Sequence, residues 1–125
     1  MMDIKSIAAE IHRNACEHGW WESERDLPEV IALCHSELSE ALEEYRKGRP
    51  MAYVWRPADY PGYQEEDMSK WQPSEKPEGI ATEMVDCIIR ILDYLEPKGV
   101  DVEEILQRKH EYNKGRTYRH GGKRC

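Results

Sequence analysis

Residues 26–48 read DLPEVIALCHSELSEALEEYRKG and carry the pattern of one long amphipathic helix. Asp26 and Glu29 form a capping-box-like pair around Pro28, and these residue types are favoured in the first turn of a helix. Gly48, which is followed by Pro50, is placed to end the helix. Apolar side chains recur at helical spacing within about 60° of one direction. The predicted core-facing stripe consists of Leu27, Ile31, Cys34, Leu38, Ala41, Leu42 and Tyr45.

Three further helices follow from the same kind of pattern. Helical spacing of apolar residues predicts helices over about 4–18, 77–95 and 101–114. Gly19 follows the helix over 4–18, and Gly99 follows the helix over 77–95, so each glycine is placed to end a helix. Asp101 and Glu104 repeat the cap pattern at the start of the last one. Because no strand-like alternation competes with these segments, the sequence predicts an all-α, four-helix bundle-like domain.

Length and composition restrict the class of protein. The chain has 125 residues, which predicts a single domain over residues 1–125. Hydrophobic residues make up 39% and charged residues 34%, a balance that favours a core completed by oligomerisation, in a homodimer or homotetramer. No apolar run approaches the roughly 20 residues of a membrane span, and the N-terminus lacks a signal-peptide pattern. The sequence therefore predicts a cytoplasmic protein without a membrane partner.

The four cysteines show no C-x-x-C pairing, and three of them fall within helical apolar patterns. Residues of this kind are usually reduced packing residues rather than a disulfide framework or a zinc site. We therefore expect Cys16, Cys34, Cys87 and Cys125 to be reduced and mostly buried.

Residues 49–77 form an unusual segment between the second and third helices. Five prolines and a glycine exclude long regular structure here. Aromatic residues nevertheless recur through the segment, which indicates an ordered insertion loop. Such a loop could stack on the base of a ligand, or it could pack on its own domain or a partner subunit, and the second alternative is favoured. These aromatic residues are Tyr53, Trp55, Tyr60, Tyr63 and Trp71.

Acidic residues border the apolar faces of two predicted helices. Glu37, Glu40 and Glu44 share one stripe of the second helix, and Glu83 and Asp86 lie in the narrow polar arc of the third. Residues at i and i+3 point in one direction along a helix, so each pair presents two carboxylates together. Like charges gathered near a core are costly unless a cation neutralises them. Magnesium, a hard ion that takes oxygen ligands, fits this set.

Other interpretations of the acidic pairs remain open at this point. The chain has 25 acidic residues, so pairs at i and i+3 also arise by chance on solvated helix faces. Di-iron sites in helical bundles draw on Glu-x-x-His pairs, and this spacing does not occur in the sequence. A magnesium site is therefore preferred to a di-iron site.

The C-terminal part of the chain is basic. Residues 108–125 contain seven Lys or Arg residues and a single acid, Glu111, and the basic tail proper covers residues 115–125. Lysine and arginine neutralise phosphate oxygens, asparagine can contact a base or sugar, and two adjacent glycines let backbone amides approach an anion. Because the rest of the chain is acidic, we expect no direct nucleic-acid binding. The tail favours a nucleotide with its metal as ligand, and the alternative is a solvated tail.

Three motifs together resemble the all-α nucleoside triphosphate pyrophosphohydrolases, the MazG-like superfamily. They are Glu37-x-x-Glu40, Glu83-x-x-Asp86 within EGIATEMVDCIIR, and K-x-x-x-N-x-x-R-x-Y-R-H-G-G-K from Lys109 to Lys123. The resemblance covers about residues 26–48 and 77–123. Two features depart from the family pattern: 42 residues separate Glu40 from Glu83, and Ser36 stands where some relatives carry an additional glutamate.

The resemblance implies hydrolysis of an NTP or dNTP to the monophosphate and pyrophosphate by a metal-activated water. The cofactor would be Mg²⁺, with Mn²⁺ as the alternative ion, and the metal ligands would be Glu37, Glu40, Glu83 and Asp86. Glu37, Glu40 and Glu44 would be the catalytic residues, with Glu44 a candidate general base in place of the missing glutamate. The nucleotide would be contacted by Lys109, Asn113, Arg116, Tyr118, His120 and Lys123. The alternative is a non-catalytic nucleotide- or protein-binding module of the same fold.

Overall fold

The computed structural model describes residues 2–56 and 62–125. Four long helices run over these residues: α1 (Ile4–Glu17), α2 (Leu27–Arg46), α3 (Ile80–Leu95) and α4 (Val102–Lys114). An antiparallel pair of two-residue strands, β1 (Val54–Trp55) and β2 (Gln64–Glu65), lies between α2 and α3 in the chain. Short 3₁₀ turns cover Met68–Lys70 and Glu96–Lys98, and a helical turn covers Arg119–Gly122. The predicted predominance of helix is confirmed, whereas the bundle arrangement stays a prediction.

The helix ends follow the sequence signals with two exceptions. Asp101 caps α4 as predicted, because its carboxylate accepts a hydrogen bond of 3.0 Å from the backbone N–H of Glu104. Asp26 occupies the N-cap of α2 without making a side-chain cap hydrogen bond, so the predicted capping box is wrong there. Helix α3 begins at Ile80 rather than at Pro77.

Backbone pairing with the preceding loop explains the late start of α3. Tyr53 and Glu78 exchange two backbone hydrogen bonds of 3.0 and 2.8 Å, and the N–H of Ala81 donates to the carbonyl of Met51 at 2.7 Å. Gly79 adopts a φ of +114°, and a Cβ there would lie 2.6 Å from the Met51 carbonyl oxygen. Only glycine fits this close approach, so the loop and the first turn of α3 are joined at Gly79.

The structure divides into two compact units. One unit consists of the chain up to Trp20 together with Leu92–Cys125, and the other consists of Trp21–Ile91. We call them the terminal unit and the central unit. The single domain expected from the chain length stays a prediction.

In the central unit, α2 buries only part of the predicted stripe, Cys34 and Ala41, together with two residues from beside it. Its buried side chains are Val30, Cys34, Glu37 and Ala41. This set also follows helical spacing, and it includes a charged residue that pairs with α3. Much of the predicted stripe is left accessible instead, with exposed fractions between 46% and 69% for Leu27, Ile31, Leu38, Leu42 and Tyr45.

The aromatic segment packs within the central unit where the structure describes it. Tyr53 and Val54 are fully buried, and the rings of Tyr53 and Trp55 meet edge to face with centroids 5.3 Å apart. The indole N–H of Trp71 donates to the backbone carbonyl of Glu65 at 2.9 Å. These contacts confirm the expected packing of an ordered loop, although Tyr60 lies outside the described residues.

In the terminal unit, α1 is tied to the chain around α4. The backbone N–H of Ile4 donates to the Glu103 carboxylate at 3.2 Å, and His12 pairs with Asp93 at 2.8 Å. Ala8 is buried on the same helix. In the described part of the chain, no helix is long and apolar enough to cross a lipid bilayer.

Candidate metal centre

The two predicted carboxylate pairs come together in the central unit. Helix α2 carries Glu37 and Glu40, and α3 carries Glu83 and Asp86. Carboxylate oxygens of Glu37, Glu83 and Asp86 all lie within 4.8 Å of one another. Glu40 lies within hydrogen-bonding reach of both Glu37 and Glu83. The structure therefore brings three of the four predicted metal ligands into one group, and Glu40 lies next to that group but outside it. We call the four residues the carboxylate cluster.

The cluster holds more negative charge than its surroundings neutralise. Burial, followed by the charges of Glu40, Asp86 and Glu37, raises the pKa of Glu83 to about 7. Burial and the charge of Glu37 also raise the pKa of Asp86. Carboxyl groups with raised pKa values lack a sufficient cation, and a bound divalent ion would supply one.

The pKa values of Glu37 and Glu40 shift in opposite directions. A hydrogen bond with Glu37, followed by burial, raises the pKa of Glu40. Burial alone would raise the pKa of Glu37, but hydrogen bonds with Arg90, Glu40 and Glu83 and the charge of Arg90 together lower it. Glu37 therefore loses its proton more readily than Glu40, although it is only 8% exposed.

Arg90 also belongs to this site, although no sequence pattern assigned it a role. Its Nε donates to Oε1 of Glu37 at 2.7 Å. The signal was present in the sequence, because Arg90 follows Asp86 by four residues and shares the polar arc of α3. Its guanidinium supplies part of the positive charge that buried Glu37 requires.

An open cleft of about 350 Å³ adjoins the cluster. It is lined by Glu40 and Glu83 from the cluster and by two cations, Lys47 and Arg49, that follow the end of α2. The guanidinium of Arg49 lies over the ring of Trp55, 5.0 Å from its centroid. No sequence pattern identified these two cations as functional residues. They could have been recognised by their position directly after the helix that carries Glu37 and Glu40.

Glu44 lines the same cleft but lies outside the three-residue metal group. Its carboxylate accepts a hydrogen bond of 3.1 Å from the Tyr53 hydroxyl and lies 3.9 Å from Nε of Arg49. Burial, followed by the hydrogen bond to Glu44, raises the pKa of Tyr53 to about 12. Glu44 thus holds the aromatic loop in place, and its expected role as a general base stays a prediction.

The predicted nucleotide contacts belong to the terminal unit. Lys109 and Asn113 lie on α4, Arg116, Tyr118, His120 and Lys123 lie beyond it, and all six are exposed. Lys109 and Arg116 both lie over the ring of Tyr112, at 5.2 and 5.8 Å from its centroid. The approach of this basic segment to the carboxylates stays a prediction.

The donor set fits a hard divalent cation. All four residues offer carboxylate oxygens, which are the ligands that Mg²⁺ and Mn²⁺ prefer. Oxygens bound to one Mg²⁺ at about 2.1 Å lie at most about 4.2 Å apart, so small side-chain rotations would bring the 4.8 Å group into that range. The raised pKa values of Glu83 and Asp86 indicate the same need for positive charge.

Comparisons with protein-family models, with curated proteins and with solved structures found no match to this chain. The resemblance to the MazG-like superfamily therefore stays a prediction from the motifs, and functional inference starts from the carboxylate cluster.

Proposed function

We propose that the protein is a magnesium-dependent nucleoside triphosphate pyrophosphohydrolase that converts an NTP or dNTP to the monophosphate and pyrophosphate. The observation that carries the proposal is the convergence of carboxylate oxygens of Glu37, Glu83 and Asp86 within 4.8 Å, with Glu40 next to them. The motif resemblance to MazG-like enzymes supports the same reaction. Mn²⁺ is the alternative ion, because it takes the same oxygen ligands.

Glu37, Glu40, Glu83 and Asp86 would hold the metal. When bound, the ion would polarise the phosphoryl group and lower the pKa of a water molecule. Glu44, which lines the same open cleft as Glu40, would be the candidate proton acceptor for the attacking water.

The cations of the cleft supply the second part of the proposed mechanism. Lys47 and Arg49 line the cleft together with Glu40, so a polyphosphate in the cleft would lie between positive side chains and the metal ligands. Lysine and arginine stabilise the charge that develops on departing phosphate oxygens. In the proposal, these two side chains orient the pyrophosphate, and contact of residues 109–123 with a nucleoside stays a prediction from the sequence.

The proposal is tested by measuring pyrophosphate release from a panel of NTPs and dNTPs. We expect release with MgCl₂, slower or equal release with MnCl₂, and none with EDTA, because the carboxylates need a divalent cation to bind and activate the phosphates. The nucleoside monophosphate should appear in equal amount. Nucleotide-dependent stabilisation without turnover of any substrate would contradict the proposal and indicate a binding module.

We further propose that the exposed apolar stripes of the central unit associate with a second copy of the chain. Large apolar patches are uncommon on monomeric proteins and mark interaction surfaces. On α2 the stripe is the exposed part of the predicted core-facing set, Leu27, Ile31, Leu38, Leu42 and Tyr45. On α3 the exposed fractions lie between 38% and 53% for Met84, Val85, Ile88, Ile89 and Ile91. The periodicity that predicted a core would then describe an intersubunit core.

Ile88→Asp is expected to convert the oligomer to a monomer, because a carboxylate placed in an apolar interface loses its hydration without gaining a partner. Light scattering should give a multiple of 14.7 kDa for the wild type and 14.7 kDa for the variant. Met68→Asp is the matched control, since Met68 is exposed and apolar but belongs to the 3₁₀ turn. A wild-type monomer, or loss of the oligomer in the control, would contradict this interface.

A further inference from the structure

Three side chains of the terminal unit form a line that the proposed hydrolase does not use. On α1, Nε2 of His12 lies 3.5 Å from Sγ of Cys16. The other ring nitrogen, Nδ1, lies 2.8 Å from Oδ1 of Asp93. His12 and Cys16 are one helical turn apart, so their side chains meet on one face of α1. A thiol, an imidazole and a carboxylate therefore lie next to one another in space, in that order.

The carboxylate fixes the proton on the imidazole. An ionised Asp93 can only accept hydrogen bonds, so Nδ1 of His12 must carry the hydrogen that it donates. In the neutral imidazole, Nε2 is then the acceptor, and its lone pair is directed to the Cys16 thiol. His12 is thereby prepared to take the thiol proton, and Asp93 would stabilise the resulting imidazolium.

Cys16 differs from the other three cysteines of the chain. Cys34 and Cys87 are buried, and burial, followed by the proximity of Cys87, raises the pKa of Cys34. Cys125 is exposed, as is Cys16, so the expectation that the cysteines are mostly buried is wrong for these two. Among the cysteines as the structure describes them, Cys16 combines exposure with a hydrogen bond to an imidazole.

The position of Cys16 on the helix explains why a base is needed. Cys16 lies in the last turn of α1, where the helix dipole disfavours negative charge. Reactivity would therefore depend on proton transfer to His12 as the sulfur attacks. The side chains of His12 and Asp93 are 20% and 17% exposed, so the pair is shielded enough to hold its geometry while the thiol stays accessible.

We propose that Cys16 is a nucleophilic thiol that exchanges with small-molecule disulfides, with His12 as its proton acceptor and Asp93 as a positioning residue. The Cys16 proton moves to Nε2 of His12, and the sulfur attacks one sulfur of the disulfide. A new S–S bond forms as the old one breaks, and the departing thiolate takes the proton from His12. One disulfide and one protein thiol thus give one mixed disulfide and one small thiol.

Oxidised glutathione is the probe for this site, and peptide mass spectrometry measures the rate of mixed-disulfide formation at each cysteine. Cys125 is the internal control, because it is exposed in the same molecule. We expect Cys16 to react about tenfold faster than Cys125 or more, because a positioned base assists proton removal. In denaturant the reaction rates of Cys16 and Cys125 should become similar. This comparison uses the wild-type protein only.

His12→Asn tests the base directly, since asparagine keeps a donor for Asp93 but cannot take a proton. The variant should lower the Cys16 rate to that of Cys125 and leave the Cys125 rate unchanged. Asp93→Asn should give a Cys16 rate between those of the wild type and His12→Asn. Asp93→Glu, which keeps the carboxylate, should give a higher Cys16 rate than Asp93→Asn. A merely structural contact would not produce this order.

Equal rates at Cys16 and Cys125 in the folded wild type would overturn the proposal, as would an unchanged Cys16 rate in folded His12→Asn. Because none of these residues belongs to the carboxylate cluster, the result is independent of whether the protein hydrolyses nucleotides.

Discussion

Glu83→Gln is expected to lower magnesium-dependent pyrophosphate release by about a hundredfold or more, because it removes a charged oxygen ligand from the centre of the carboxylate cluster. The same variant should be more stable than the wild type in the absence of metal. Glu83 is the carboxyl group whose pKa is raised to about 7, so the neutral amide removes a repulsion that the metal-free protein otherwise contains. Pyrophosphate assays and thermal unfolding in EDTA measure the two effects.

The opposite signs of these effects separate a functional site from a structural one. A misfolded variant would lose activity and stability together, whereas removal of a metal ligand should lower only activity. Glu29→Gln is the matched control, since Glu29 is an exposed glutamate of the first turn of α2 and lies outside the cluster. Retention of turnover in Glu83→Gln would contradict the proposed metal site, as would an equal loss in the control.

The helices were predictable because their signals are local. Apolar spacing and the terminal residues Gly48, Asp101 and Gly99 depend on neighbours within a few positions, and the observed bounds follow them. Two-residue strands carry no periodic signal, and β1 and β2 form only because Val54 and Glu65 meet across the loop. Pairing of this kind is decided by tertiary structure, so the sequence indicated an ordered loop without its register.

The residues of the carboxylate cluster could be predicted from the sequence, but the burial of Glu37 on α2 could not. Glu37, Glu40, Glu83 and Asp86 could be identified because spacing fixes which residues share a helix face. The predicted stripe of α2 contains Cys34 and Ala41, which are buried, and also Leu27, Ile31, Leu38, Leu42 and Tyr45, which are exposed. The periodicity of one chain does not distinguish an internal core from an intersubunit contact, which explains why the exposed part of the stripe was assigned to the core.

Arg90→Gln is expected to lower the free energy of unfolding of the metal-free protein by about 2 kcal/mol at pH 8. The variant leaves Glu37 buried among three other carboxyl groups without its guanidinium partner. The expected loss lies between those of buried and exposed ion pairs, because the Glu37 side chain is 10% exposed and that of Arg90 is 38% exposed. Urea unfolding in EDTA measures it. Arg46→Gln is the control, since the Arg46–Glu43 pair is exposed and should contribute less than about 1 kcal/mol.

The pH dependence of this loss follows from the direction of each pKa. In the wild type the pKa of Glu37 is lowered, so its pairing with Arg90 stabilises the fold above the unfolded pKa and is lost as pH falls through the folded value. The raised pKa of Glu83, about 7, acts in the opposite sense: its contribution is present below 4.5 and is lost as pH rises through 7. Without Arg90, the burial of Glu37 should raise its pKa, as burial does for Glu83. The difference between variant and wild type should therefore be larger at pH 8 than at pH 5.

Magnesium should reduce the same difference at pH 8, because a bound divalent cation supplies the positive charge that Arg90 provides in the metal-free protein. Arg90→Lys should retain most of the stability, since a lysine keeps the charge that Glu37 requires. If the loss were equal at pH 5 and pH 8 and unaffected by magnesium, Arg90 would act by packing alone. The carboxylates would then not be electrostatically coupled, and the physical basis for a cation at this site would be removed.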